Sequence, residues 1–138
     1  MQLKFEVLGK AKAKQSFKIG RDGFKYTPAD VKSYANWVRL SFMQKYPQHL
    51  PSVFHEKQLL VEIDVNVAIP KSFSKTKKEL AMSGMIRPIT KPDCDNISKN
   101  LCDAMNGVVF PDDRQIVTLI VTKWYSDVEK VIVRVSEL

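Results

Sequence analysis

The 138-residue sequence predicts an α/β fold of the α+β kind, a single domain over residues 1–138 in which a mixed β-sheet packs against two main helices. Three patterns predict it. Apolar residues alternate near the start of the chain and again over 59–69, the period of a half-buried strand. Between and after those strands they recur at helical spacing, and the last twenty-five residues are rich in β-branched side chains. A chain of this length can bury a core without disulfides or a structural metal.

The elements follow in order. QLKFEVL at 2–8 places Leu3, Phe5 and Val7 on one side of a strand. The next stretch, GKAKAKQSFKIGRDGFKYTP, is basic around an RDG turn and reads as a loop or hairpin presenting lysines, with Phe17, Phe24 and Tyr26 more simply anchoring it than stacking on bases. Thr27 and Pro28 have the form of an N-cap and first helical position, and Val31, Tyr34, Ala35, Val38 and Phe42 then mark a helix over about 28–45. LLVEIDVNVAI at 59–69 is a strand with one buried face. Residues 70–92 form a basic excursion in which KTKKELAM has short-helix character. Asp95 and Asn96 signal the start, and Asn106–Gly107 the end, of a helix over about 97–106. RQIVTLIVTKWY and VIVRV, joined by the polar SDVEK, predict a closing antiparallel hairpin.

Composition excludes several classes. Broken apolar runs give no expectation of a signal peptide, a membrane span or a membrane partner, and a cytoplasmic location is the default. Cys94 and Cys102 lie eight apart, which suits neither a zinc knuckle nor a disulfide framework, and His49 and His55 lack partners at ligand spacing. The net charge of +7 is uneven: residues 1–25 and 71–91 together carry +10 and the remainder −3. Such basic segments suit a polyanion, most naturally nucleic acid, although charge alone also fits a solvated face.

Against that background, KPDCDNISKNLCDAMNGVVFPDD at 91–113 gathers five aspartates. At about 100° per residue, Ile97, Leu101, Ala104 and Met105 form a buried stripe, with Lys99 and Asp103 opposite and Asp95 projecting their way. Asp93 sits in the approach loop. Asp112 and Asp113 precede the next strand and can meet the helix start if the helix packs on that sheet. Each feature alone has an ordinary reading as a cap, a turn or an i,i+4 pair. Together they repel strongly unless a cation neutralises them, and an all-oxygen set selects a hard ion such as Mg²⁺ or Mn²⁺. Beside two basic segments the pattern suggests metal-assisted phosphodiester chemistry. An EF-hand is excluded, since DCDNISKNLCDA has Ile at the sixth loop position and lacks the closing Glu.

Asp93, Asp95 and Asn96 entering a helix, Lys99 four residues after the second Asp, Asn106–Gly107 at the helix end, and Asp112–Asp113 before Gln115 and a strand form one combined motif. It resembles the RusA-type Holliday junction resolvases, and IPKSFSKTKKELAMSGMIRPITKPD and GKAKAKQSFKI…YTP resemble that family's approach segment and basic N-terminal region. The resemblance implies a RusA-like fold and a dimeric, Mg²⁺-dependent endonuclease with Mn²⁺ as a substitute. Such an enzyme resolves four-way junctions by paired symmetric nicks in recombination and repair, often in a phage or prophage, without a small-molecule cofactor. Carried over residue by residue, Asp93, Asp95 and Asp113 are metal ligands and Lys99 the catalytic lysine, with Asp103 and Asp112 matched positions of less defined role. Lys71, Lys75, Lys77, Lys78, Arg87 and Lys91, with Lys10, Lys12 and Lys14, are the expected DNA contacts. Cys94 departs from the aliphatic residue usual there, and KAKAKQ replaces a stretch commonly richer in Pro and Arg. Two other readings fit the same residues: a non-catalytic DNA-binding protein, or a metal-dependent nuclease for flaps or single strands.

Overall fold

A computed structural model describes residues 1–12, 18–19, 25–26 and 29–138. Chain order is β1 (Gln2–Leu8), β2 (Lys18–Ile19), β3 (Lys25–Tyr26), α1 (Ala29–Lys45), β4 (Leu59–Ala68), α2 (Lys75–Met82), α3 (Cys94–Met105), β5 (Ile116–Ser126) and β6 (Lys130–Glu137), with 3₁₀ turns at Pro51–Phe54 and Asp113–Gln115. The main sheet has the order β1-β6-β4-β5 and is mixed: β4 runs parallel to β5 and antiparallel to β6, and β6 is antiparallel to β1. The short β2 and β3 pair antiparallel. Thr27–Pro28, the RDG turn, Phe17, Phe24 and Lys14 lie outside the described residues, and so do the side chains of Tyr26 and Val31.

Register explains the core. Phe5 pairs with Val133 and Val133 with Ile63, so their side chains form one apolar row across three strands. Leu3–Val135–Val61 and Val7–Val131–Val65 make the rows on either side. All nine are buried, as the strict alternation of each strand requires. α1 brings Tyr34, Val38 and Phe42 into the core, and α3 brings Ile97, Leu101, Ala104 and Met105. Phe42 meets Phe5 edge to face at 5.1 Å between centroids. Arg39 of α1 donates to the Ala104 carbonyl at 3.0 Å, tying the two helices together.

The predicted C-terminal hairpin does not form. β4 lies between β5 and β6, because its backbone is paired along both edges and its buried face continues the apolar rows of β6. The helix expected from 97 begins earlier, at Cys94 with Asp93 in the cap position. The Asn96 side chain donates to Asp93 Oδ2 at 3.1 Å instead of capping a helix of its own. KTKKELAM is the third helix, α2, capped by Ser74, whose hydroxyl accepts from the Lys77 N–H.

On the sheet face turned away from these helices, Asp64 accepts from Arg134 at 2.8 Å and from the Trp124 indole at 3.0 Å. The Arg87 guanidinium lies 3.7 Å from the Trp124 ring centroid. Gly84 has φ +80°, and a Cβ there would approach the same ring to 3.2 Å, so glycine suits both the backbone and the contact. The basic excursion is thereby docked on the sheet.

Candidate active site

The acidic segment is built on α3. The stripe predicted from helical projection is buried, while Lys99, Asp95 and Asp93 are exposed and Asp103 is half-buried. Acids are tolerated at the start of this helix because its unpaired N–H groups favour negative charge. Asn100 is buried on the core side and donates to the Lys12 carbonyl at 2.7 Å, holding the chain at Lys12 against α3.

After α3 the chain turns sharply. Gly107, at φ +73°, takes the left-handed conformation that ends a helix, and its N–H donates to the Phe110 carbonyl at 2.8 Å. The Asn106 side chain, at the helix end, accepts from the Asp113 N–H at 2.7 Å. Asp112 caps the following 3₁₀ turn, accepting from the Arg114 N–H at 2.9 Å, and Gln115 completes a capping box by accepting from the Asp112 N–H. Gln115 also donates to the Phe54 and Lys57 carbonyls at 2.7 and 3.1 Å. Asp113 is thus set by two side chains whose positions in the motif were apparent from sequence but whose anchoring roles were not.

That anchoring brings Asp113 into a cavity of about 280 Å³ lined by Ser98, Lys99, Cys102, Asp103, Asp113, Ile116 and Leu119. Lys99, Asp103 and Asp113 therefore share one wall-to-wall space. Asp93 and Asp95 are outside its lining, and ten residues of helix from Asp93 to Asp103 span about 15 Å. The FPDD loop meets the later part of α3, through Asn106, and not the helix start.

Electrostatics report the same crowding. Burial pushes the Cys102 thiol up to about 12, reinforced by the negative charges of Asp113 and then Asp103. The Asp112 carboxyl is held below the usual carboxylate range, chiefly by the Arg114 backbone N–H and also by the Arg114 guanidinium, whose Nε is 3.1 Å from Asp112 Oδ2. Cys102 is buried, as expected of a packing residue, while Cys94 is exposed. His49 is a packed loop residue, 2.8 Å from the Val109 carbonyl and edge-on to Phe42, and His55 is exposed.

The donor chemistry fits a hard divalent cation, since the exposed groups are carboxylates and no Lys or Arg is ion-paired with Asp93, Asp95 or Asp113 among the described residues. Among those residues, no three His, Cys, Asp or Glu side chains stand close enough to ligate one ion, so the candidate ligands fall into two groups along α3.

The approach to Asp93 is also fixed. Lys123 of β5 sits level with Val65 in the register and donates its ammonium to the carbonyls of Thr90 and, at 3.1 Å, Pro92. Nothing in the sequence marks Lys123, because a lysine in an apolar strand carries no motif. Lys71, Lys75, Lys77, Lys78, Arg87 and Lys91 are all exposed, as are Lys10 and Lys12. Lys77 lies 4.1 Å from the Phe73 ring centroid. No helix among the described residues is long and apolar enough to cross a membrane.

A family model described as Endodeoxyribonuclease RusA matches residues 6–136. The chain is also 38% identical over 113 residues to YqaN of Bacillus subtilis (strain 168), itself an uncharacterized protein, across 80% of this chain and 77% of that one.

Proposed function

The chain belongs to the RusA endodeoxyribonuclease family, and we propose that it resolves four-way Holliday junctions by paired symmetric nicks, acting as a homodimer with Mg²⁺ or Mn²⁺. Nucleases of this family depend on metal. The observation that carries the reading is the cavity in which Lys99, Asp103 and Asp113 meet, with Asp93 and Asp95 exposed at the start of the same helix.

Asp93 and Asp95 at the start of α3, and Asp113 beside Asp103, would hold metal as two separate groups, and the metal when bound would activate water and offset charge on the leaving oxygen. Asn106 holds the Asp113 backbone, and Lys123 holds the chain that leads into Asp93. Lys99 puts a positive charge where the phosphate becomes most crowded with negative charge during displacement. Asp103, half-buried, lines the same cavity as Lys99, and Asp112 acts through the turn it caps. The lysines of the excursion bind phosphates, which sets affinity without selecting sequence. A two-fold dimer presents two such sites to a substrate that requires two opposed cuts.

Parallel cleavage of four-way junction, flap, duplex and single-stranded DNA with Mg²⁺ tests the reading. Junctions should be cut preferentially, in symmetric pairs. Preferential cutting of flaps or single strands would move the enzyme to another substrate class. Binding with a steep salt dependence but no cleavage under any divalent metal would make it a non-catalytic DNA-binding protein.

A further inference from the structure

Ile89 is 96% exposed and Met85 75%, the two most exposed large apolar side chains among the described residues. Both lie in the loop between α2 and Asp93, inside the basic excursion. Full exposure of an isoleucine is unfavourable in water, and here the backbone that presents it is held from both sides. Before it, Pro88 is buried and Arg87 is stacked on Trp124, with its Nε also donating to the Gly84 carbonyl. After it, the Thr90 and Pro92 carbonyls both accept from Lys123. Trp124 in turn donates to Asp64, which also accepts from Arg134. The isoleucine is therefore a held projection, anchored to the sheet through three separate side chains.

We propose that Ile89, with Met85 four positions before it in the same loop, is an apolar wedge that packs against an unstacked base at the branch point. The inference rests on the reading of this chain as a branched-DNA nuclease and names the part of that substrate the loop recognises. Three observations favour a nucleobase. Arg87 and Lys91 stand two residues to either side and attract phosphates, so the apolar tip is delivered to a polyanion. Asp93 follows Ile89 by four positions, at most about 14 Å of extended chain, which keeps the tip within about four base steps of the start of the acidic segment. Two side chains are too few for a stable protein interface, but one aliphatic wedge suffices to open a base step. A branch point already offers bases with incomplete stacking, so the cost of opening is lowest there, and the wedge adds selectivity for branched over uniform duplex DNA.

The test uses the full-length protein and a four-way junction carrying 2-aminopurine at the branch point, with Ca²⁺ in place of Mg²⁺ to hold cleavage back. Wild type should raise the fluorescence of the branch-point base. Ile89→Ser should lose most of that rise, and on the order of tenfold in junction-over-duplex affinity, while its melting temperature and the salt dependence of binding stay as in wild type. Ile89→Leu, which keeps the apolar volume, should retain both. The proposal is overturned if Ile89→Ser matches wild type in fluorescence and selectivity, or if Ile89→Leu loses as much as Ile89→Ser. If wild type cuts junctions in Mg²⁺ and residue 89 has no effect, the wedge alone fails. If wild type shows no preference for junctions, the proposed function fails and the wedge with it.

Discussion

Replacing Asn106 with alanine removes the acceptor that holds the Asp113 N–H at 2.7 Å and leaves the rest of the turn in place. Gln115 still accepts from the Asp112 N–H and still donates to Phe54 and Lys57, so the loop keeps its overall course. One hydrogen bond at an exposed position has a net worth of about 1 kcal/mol, since water can replace the lost partner, and for a chain of this size that lowers the melting temperature by roughly 4 °C. The effect on chemistry should be far larger. A displacement of about 1 Å in a positioning group costs on the order of 100-fold in rate. Single-turnover junction cleavage at saturating protein, measured beside a thermal melt, separates the two effects. Asn106→Ala should cleave about 100-fold more slowly, with junction affinity close to wild type. A cleavage rate within about twofold of wild type would refute the argument that this bond places Asp113 for catalysis. An equal loss in binding would refute it as well, by pointing to a general defect of the fold.

Other predictions test the site from different directions. Lys99→Ala should reduce turnover by at least about 100-fold with a much smaller loss of junction affinity, whereas equal losses would make Lys99 a phosphate contact only. With the Cys102 thiol buried and pushed up to about 12, iodoacetamide at pH 8 should label Cys94 and spare Cys102 until the protein is unfolded; equal labelling rates by mass spectrometry would contradict its burial. Because the folded state holds the Asp112 carboxyl below its ordinary value, its contribution to stability is present above that value and is lost as pH falls through the folded one. Asp112→Asn should therefore show a shallower loss of stability below about pH 4 than wild type, and identical acid-unfolding curves would argue against the role of the Arg114 contacts.

What could be read from sequence was what a single element records in its own periodicity. The stripe of α3 and the alternation of β4 follow from which residues must face a core, and the structure places Ile97, Leu101, Val61, Ile63 and Val65 there. Strand adjacency is a different kind of fact. A polar turn between two β-branched runs favours local pairing, but β4 offers two edges and an apolar face matched to Val131, Val133 and Val135, and it separates β5 from β6. The start of α3 is ambiguous in the sequence because Asp93, Asp95 and Asn96 are all good caps, and in the structure Asp93 takes the cap position with Asn96 bonded to it. The carboxylates of the site were visible as a concentration of charge. Which end of α3 Asp113 meets was not, since it depends on Asn106 and on Gln115 reaching back to Phe54.

The proposed activity depends on these acids. Its most direct measurement is the fate of a labelled four-way junction in Mg²⁺ with wild type, Asp93→Asn and Asp113→Asn, resolved on a denaturing gel. Wild type should give paired nicks at symmetric positions, and each variant should bind the junction but leave it uncut. Cleavage by either variant at a rate near wild type would contradict the assignment of the acids, and an intact junction with wild type under every divalent metal would contradict the activity itself.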